Sequence, residues 1–428
     1  MAHFGAICPT QFTGHLNTML PLAQELKRRG HRVTFIGIVG YEDKVLAAGL
    51  EFLGYGKEEL SPEAMKKSLH RLSQLSGIAA LRYGIKLKKN GANVLLRDAP
   101  QLIKNAGIDA LLVDSISIAG GTIADILEIP FVTICSAVVF HQDPAVPPHF
   151  TSWEYNPAWW GKLRNQCAYT WSGRLRQPVR DLIAEYRHQW NLPLYSHPND
   201  VYSQLAQISQ QPAELEFPRE NLPEWFHFTG TYHYSGTRET VPFPWDKLTG
   251  KPLIYASLGT LQNRLVDVFY KIAAACEGLD AQLVISQGGS ATPESLLNLP
   301  GNPLVVKYAP QLELLQKVTL TITHAGLNTT LECLNNAVSM VAIPIALDQP
   351  GVAARIAWTG AGEAIPLKRL TVPRLRKAIS QVLTQPSYKE NALRLQEAIK
   401  RSGGVTRAAD IIERAVLTGK PVLAENIK

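Results

Sequence analysis

The chain opens with a strand, a helix and a second strand in quick succession, and that order leaves few folds open. Met1-Ala2-His3-Phe4-Gly5-Ala6-Ile7-Cys8 reads as a short buried strand. A polar loop, Pro9 to Gly14, precedes His15. A helix is expected from about Leu16 to Arg29, stopped by Gly30 as a C-cap. His31-Arg32-Val33-Thr34-Phe35-Ile36-Gly37 reads as the next strand. Such a β-α-β opening signals a parallel sheet of Rossmann type. Further strands are expected at Ala110 to Val113, ending at Asp114, and at Phe131 to Ile134. The second half repeats the pattern. Leu253 to Leu258 reads as a strand ending at Gly259-Thr260, Leu265 to Cys276 as a helix, and Gln282 to Ile285 as a strand before Gly288-Gly289. Tyr232 to Pro252, rich in Pro, Gly, Thr and Trp, has the composition of a linker.

The expected class is therefore α/β: two facing Rossmann-like domains with a cleft between them. The expected divisions are 1–231, a linker at 232–252, 253–402, and a tail at 403–428, helical to about Leu417. A length of 428 residues and a hydrophobic content of 46% suit two or three domains with ample core. Cys8, Cys135, Cys167, Cys276 and Cys333 are scattered and odd in number, without a C-x-x-C pair. That spacing argues against a disulfide framework or a zinc site and for a reducing compartment. The longest apolar run, Ile129 to Phe140, is too short to span a bilayer, and the first residues carry no signal-peptide pattern. A cytoplasmic protein is expected. The net charge of +7 suits a phosphorylated ligand, an anionic membrane or nucleic acid. No nucleic-acid motif accompanies it, so nucleic acid is not an expected partner.

The stretch from Tyr308 to Gln349 carries chemistry. Val318 to Thr323 reads as a buried strand, followed by the turn His324-Ala325-Gly326. Asn328 and Thr329 stand where caps and first-turn residues belong, and Thr329 has capping-box spacing to Glu332. A helix that starts after a glycine presents free N–H groups and a positive dipole end, which together bind a diphosphate. The same groups stabilise charge growing on a departing diphosphate, so no metal and no cofactor is strictly required.

Three clusters in register, Tyr308-Ala309-Pro310-Gln311, His324 to Glu332 and Asp348-Gln349, resemble the donor signature of the family 1 UDP-sugar-dependent glycosyltransferases. The resemblance implies the GT-B fold, with UDP-glucose as co-substrate. It implies that Tyr308 stacks on uracil, with Ala309 beside it, and that Gln311 and Glu332 hold ribose hydroxyls. It gives His324, Asn328 and Thr329 to the phosphates, with Gly326 among the donor-binding residues, Asp348 and Gln349 to sugar hydroxyls, and Thr260 to phosphate and sugar. Leu327, in place of the usual aromatic, and Asn336-Ala337-Val338-Ser339 depart from the family pattern.

Transfer to an alcohol needs a base, and a histidine near its ordinary pKa suits that role. His15 follows the first strand, where open α/β sheets place ligands. Its position matches the family's catalytic histidine, and Asp114 matches the partner that orients the ring. The implied reaction is a direct displacement with inversion at the anomeric carbon.

The acceptor is less legible. Ser203 to Gly230, Ala256 to Gln262, Leu320 to Glu332 and Ala346 to Ile356 resemble bacterial members that glucosylate hydroxylated carotenoids such as zeaxanthin. A lipophilic hydroxylated acceptor is expected on that ground. Broader action on polyphenols, sterols or macrolides is the alternative, and a UDP-sugar epimerase or a non-catalytic UDP-sugar-binding subunit lies outside the class. Glu63 to Lys104 holds nine Lys or Arg against two acids, with Leu and Ile interleaved. It reads as one amphipathic helix or a pair broken near Gly77 and Gly91. Such a helix either touches an anionic bilayer peripherally or presents a solvated basic face. From Ser136 to Trp171, aromatics alternate with prolines, so loops plus a short helix are expected. Phe140, Phe150, Trp153, Trp159 and Trp160 are candidates to line an acceptor channel, with plain loop packing as the alternative.

Overall fold

The computed structural model describes residues 1–75, 77–232, 241–259, 265–288 and 298–424. They form two parallel sheets. The first contains β1 (His3–Ile7), β2 (Arg32–Ile38), β3 (Glu51–Tyr55), β4 (Ala110–Asp114), β5 (Phe131–Cys135), β6 (Gln207–Ser209) and β7 (Phe226–Phe228). Its spatial order is β3-β2-β1-β4-β5-β6-β7. The second contains β8 (Leu253–Ser257), β9 (Gln282–Ser286), β10 (Leu304–Val306), β11 (Val318–Thr323), β12 (Ser339–Ala342) and β13 (Gly362–Ala364), ordered β10-β9-β8-β11-β12-β13.

β1, β4 and β8 are buried at every position. Their near-continuous apolar runs follow from helices covering both faces of a parallel sheet. Chain order reverses in each sheet beside its first strand, between β1 and β4 and between β8 and β11. The connections leave in opposite directions there and open a crevice at the carboxyl ends. Ile7 pairs with Val113 at one crevice, and Ser257 with Thr323 at the other.

The first helix runs Thr13–Arg28, three residues earlier than expected, so His15 sits in its first turn rather than in the loop before it. Leu16, Met19, Leu22, Ala23 and Leu26 form its buried face. The closing helix, Gly404–Thr418, inserts Ala408, Ala409, Ile411, Ile412 and Ala415 into that same core. Arg29 fastens it at 2.6 Å to both Asp410 and Glu413.

The basic segment forms two helices, Pro62–Ser73 and Gly77–Ala106. Gly91 does not break the second, because helical neighbours on both sides outweigh one glycine's propensity cost of about 1 kcal/mol. The aromatic segment is loop up to Ala158 and then a helix, Trp159–Leu175. Trp159 and Trp160 point to solvent on that helix, so they line no internal channel. No helix among the described residues is long and apolar enough to cross a membrane.

The two halves touch closely. Gly351 donates its N–H to His149 O at 2.9 Å, and a Cβ on Gly351 would stand 2.4 Å from that oxygen. Arg355 reaches from the second half to Glu216 of the first, both buried, at 2.5 Å.

Candidate active site

His15 and Asp114 meet at the first crevice. Asp114, the last residue of β4, is fully buried. His15 Nδ1 lies 2.8 Å from its Oδ2. Ser136 Oγ donates to the same oxygen at 2.6 Å, and the Ile116 N–H donates to Oδ1 at 3.0 Å. A carboxylate fixed by three donors cannot swing away, so it holds the imidazole in one orientation. With Nδ1–H given to Asp114, Nε2 keeps its lone pair.

Opposing effects act on the His15 proton. Burial lowers the pKa, while the Asp114 charge and hydrogen bond and the charge of Asp348 raise it. The anions win, and the value lies above the ordinary 6.5. Asp348 comes from the second half, so its effect on His15 spans the cleft.

The second crevice holds the donor signature. Ala325 has φ 64°, a left-handed turn between β11 and the helix Leu327–Asn335. Thr323 Oγ1 pins that turn by accepting the Ala325 N–H at 3.1 Å. The helix cap is Gly326, and no side chain caps it. This corrects the expected Thr329–Glu332 capping box: Thr329 lies within the first turn, too far along to cap. The first helical bond is Thr330 N–H to Gly326 O, so the amides of Leu327, Asn328 and Thr329 precede it.

His324 sits between two glycines. A Cβ on Gly326 would come within 2.6 Å of His324 Nε2, and one on Gly259 within 2.7 Å. Burial drops the His324 pKa to about 4, against a backbone hydrogen bond at Ser257. The ring is thus neutral at pH 7 and offers an N–H rather than a charge. Its Nδ1 is buried and has no hydrogen-bond partner among the described residues.

Gln311, Thr329 and Glu332 converge. Gln311 Nε2 donates to Glu332 Oε2 at 2.5 Å and to Thr329 Oγ1 at 3.4 Å, while Tyr255 Oη donates to Gln311 Oε1 at 3.1 Å. Tyr308 is half exposed, and Ala309 is packed against a buried cluster that includes Leu314, Leu327 and Leu331. Gln349 Oε1 is occupied by the N–H groups of Ile345 and Ala346, both at 2.9 Å. Asp348 Oδ2 accepts the Val138 N–H from the first half at 3.3 Å. Thr260 and Gly289 lie outside the described residues.

Asn328 does something the sequence does not announce. Its Nδ2 donates to Gly14 O at 2.6 Å, next to His15. Its Oδ1 accepts from Gln210 Nε2 at 2.6 Å and from Thr18 Oγ1 at 3.4 Å. Gln210 Nε2 also lies 2.9 Å from Thr18 Oγ1 and 3.2 Å from Ser136 O. A side chain expected at the phosphates is therefore turned to the other half of the cleft. Gln210 and Ser136 carry no motif of their own. The only signal for Gln210 was its place in the Ser203–Gly230 segment.

Phe140 and Phe150 flank His149, with ring centroids 4.4 and 5.3 Å from it, beside the Gly351 contact. Trp153 is covered by Arg164, whose guanidinium carbon stands 4.5 Å from the ring centre. Of the five candidate aromatics, Phe140 and Phe150 therefore border the contact between the halves.

Residues 57–402 match the family described as UDP-glucoronosyl and UDP-glucosyl transferase. The chain belongs to that family. The zeaxanthin glucosyltransferase of Pantoea ananas is 33% identical over 99% of this chain and 98% of its own. That of Pseudescherichia vulneris is 30% identical over 99% of this chain and 100% of its own. Among solved structures, the glycotransferase of kitacinnamycin superposes with a TM-score of 0.77 at 22% identity, covering 97% of this chain and 99% of that one. The fold is GT-B, and the chain is a family 1 UDP-glycosyltransferase.

Proposed function

We propose that the protein moves glucose from UDP-glucose to a hydroxyl of a lipophilic acceptor, a hydroxylated carotenoid such as zeaxanthin, with inversion. One observation carries the reading: the His15–Asp114 pair of the first sheet faces the Ala325–Thr329 turn of the second, with Asp348 close enough to act on His15. A base and a diphosphate-binding helix end thus share one cleft. The full-length likeness to two zeaxanthin glucosyltransferases supports the acceptor class.

In this reading His15 Nε2 takes the acceptor hydroxyl proton while Nδ1–H stays with Asp114, which stabilises the imidazolium. The oxygen bonds to the anomeric carbon from the face opposite UDP, and the carbon–phosphate-oxygen bond breaks. The charge arriving on the diphosphate is met by the amides of Leu327, Asn328 and Thr329 and by neutral His324, so the step asks for no metal. Tyr308 stacks on uracil, Gln311 and Glu332 take the ribose, and Asp348 and Gln349 orient the sugar. Five unpaired cysteines fit a cytoplasmic setting.

Mass spectrometry of products tests the proposal. Purified protein receives UDP-glucose with zeaxanthin in detergent micelles, with flavonoids, sterols and no acceptor as parallel arms. Gain of one or two hexoses on zeaxanthin is the expected result. Gain only on the soluble aromatics moves the protein to a broad small-molecule glucosyltransferase. Donor isomerisation without acceptor sinks transfer altogether.

A further inference from the structure

The helix Trp159–Leu175 is built inside out. Its protein-facing residues are Gly161, Asn165, Tyr169 and Ser172, mostly small or polar. At steps of three and four, the opposite side carries Trp160, Leu163, Cys167 and Trp171, with Trp159 beside them. Trp159 is 74% exposed, Trp160 50%, Leu163 55% and Trp171 57%. A helix packed on a soluble core puts its apolar stripe inward. Three exposed tryptophans and a leucine on one outward face mark a contact surface.

Charge selects the occupant. From Trp159 to Arg180 the sequence holds Lys162, Arg164, Arg174, Arg176 and Arg180 and no acid. Glu220 neutralises Lys162 at 2.6 Å, Arg164 lies over Trp153, Arg176 turns inward to Ser172 Oγ at 2.9 Å, Arg180 donates to Gly173 O at 2.8 Å, and Arg174 is exposed. The following helix, Gln177–Gln189, packs on the long basic helix Gly77–Ala106, where Arg82, Lys86 and Lys89 are exposed. Tryptophan rings favour the headgroup level of a bilayer, and Lys and Arg beside them favour anionic lipid. Two copies meeting through this face would set like charges against each other.

We propose that the outward face of helix Trp159–Leu175 seats on an anionic lipid bilayer, with its tryptophans and Leu163 in the interface and the exposed Arg174 at the phosphates. The role given to this contact rests on the proposed lipophilic acceptor. The loop that leads into the helix, residues 136–158, also carries Val138 and His149 to the Asp348 and Gly351 contacts. An acceptor leaving the bilayer at the helix would thus have a short path to the cleft.

The test uses full-length protein and vesicles of phosphatidylcholine, alone or mixed with phosphatidylglycerol. Wild type is expected to sediment with the mixed vesicles, to lose binding in high salt, and to show blue-shifted tryptophan emission on binding. Leu163→Gln with Trp171→Gln is expected to lower vesicle affinity by at least about tenfold, since each removes apolar area from the interface. The double variant should still glucosylate acceptor held in detergent micelles at the wild-type rate. Wild type that stays in the supernatant with mixed vesicles overturns the proposal. So does undiminished binding by the variant, or a wild-type dimer that the variant dissociates. Failure of wild type to glucosylate zeaxanthin in micelles speaks against the acceptor instead, and leaves the vesicle result standing.

Discussion

At the scale of single residues, the proton of His15 is the quantity that links structure to rate. Its pKa lies above 6.5 because Asp114 and Asp348 outweigh burial. The base form predominates only above that raised value, so kcat/KM should climb with pH through a limb above 6.5. Asp114→Asn removes the anion, so it should move the limb down while lowering the plateau. His15→Ala should cut turnover about 10²–10⁴-fold and leave UDP affinity in place. A pH–rate series on the three proteins checks both, and a limb that Asp114→Asn leaves unmoved would refute the pairing. Gly326 gives a second test. A methyl there would stand 2.6 Å from His324 Nε2, so the ring must move. Gly326→Ala should cost about 1–3 kcal/mol by overpacking and raise the KM for donor. Melting temperature and donor KM together decide it, and unchanged values of both would remove the argument. His15, Asp114 and His324 were legible because each ends or follows a buried strand that the apolar runs reveal. The space that Gly259 and Gly326 leave for His324 was not, because it depends on two turns 67 positions apart coming together.

Among elements, the important link is the one between the donor helix and the helix of His15. Asn328 and Gln210 tie Gly14, Thr18 and Ser136 into one network, and Ser136 in turn holds Asp114. Gln210→Leu would leave Asn328 Oδ1 with only the 3.4 Å contact to Thr18 and would free the His15 helix to shift. A misplacement of about 1 Å near the chemistry costs on the order of 10²-fold, so kcat should drop by about 10–100-fold. Donor KM should change far less, because Tyr308, Gln311 and Glu332 lie outside the network. Loss of thermal stability with an intact kcat would make Gln210 a packing residue only. The seven strands read from apolar runs are present, with element ends off by up to three residues, whereas the short or sheet-edge strands β3, β6, β7, β10, β12 and β13 went unread. The helix of His15 begins at Thr13 although Phe12, its cap, supplies no capping side chain. The Trp159–Leu175 helix was partly hidden because its inward face is small and polar, which reverses the usual reading of apolar spacing.

The whole molecule is two sheets whose crevices face each other, and its geometry depends on what keeps them in register. Glu216, in the first half, accepts from Arg355 at 2.5 Å and from Gln211 at 2.8 Å, and Arg219 stands 3.3 Å away. Arg355 lies on the helix Gln349–Trp358, which begins at the residues proposed to hold the sugar. The pair joins positions 139 apart, so no local pattern in the chain announced it. Burial raises the Glu216 pKa, but the two guanidinium groups and the hydrogen bonds outweigh it, and the value falls below 4.5. A depressed folded pKa means that the pair's stabilisation is full above the unfolded value and is lost as pH falls through the folded one. Acid unfolding should therefore gain a contribution that begins near 4.5 and grows below it. Glu216→Gln leaves two buried guanidinium groups without their anion, which should cost about 3–5 kcal/mol at neutral pH and erase that acid contribution. Because the loosened helix carries Asp348 and Gln349, donor KM should rise with the loss of stability. A variant with wild-type stability at pH 7, or with lowered stability and an unchanged donor KM, would show that the clasp does not set the register of the cleft.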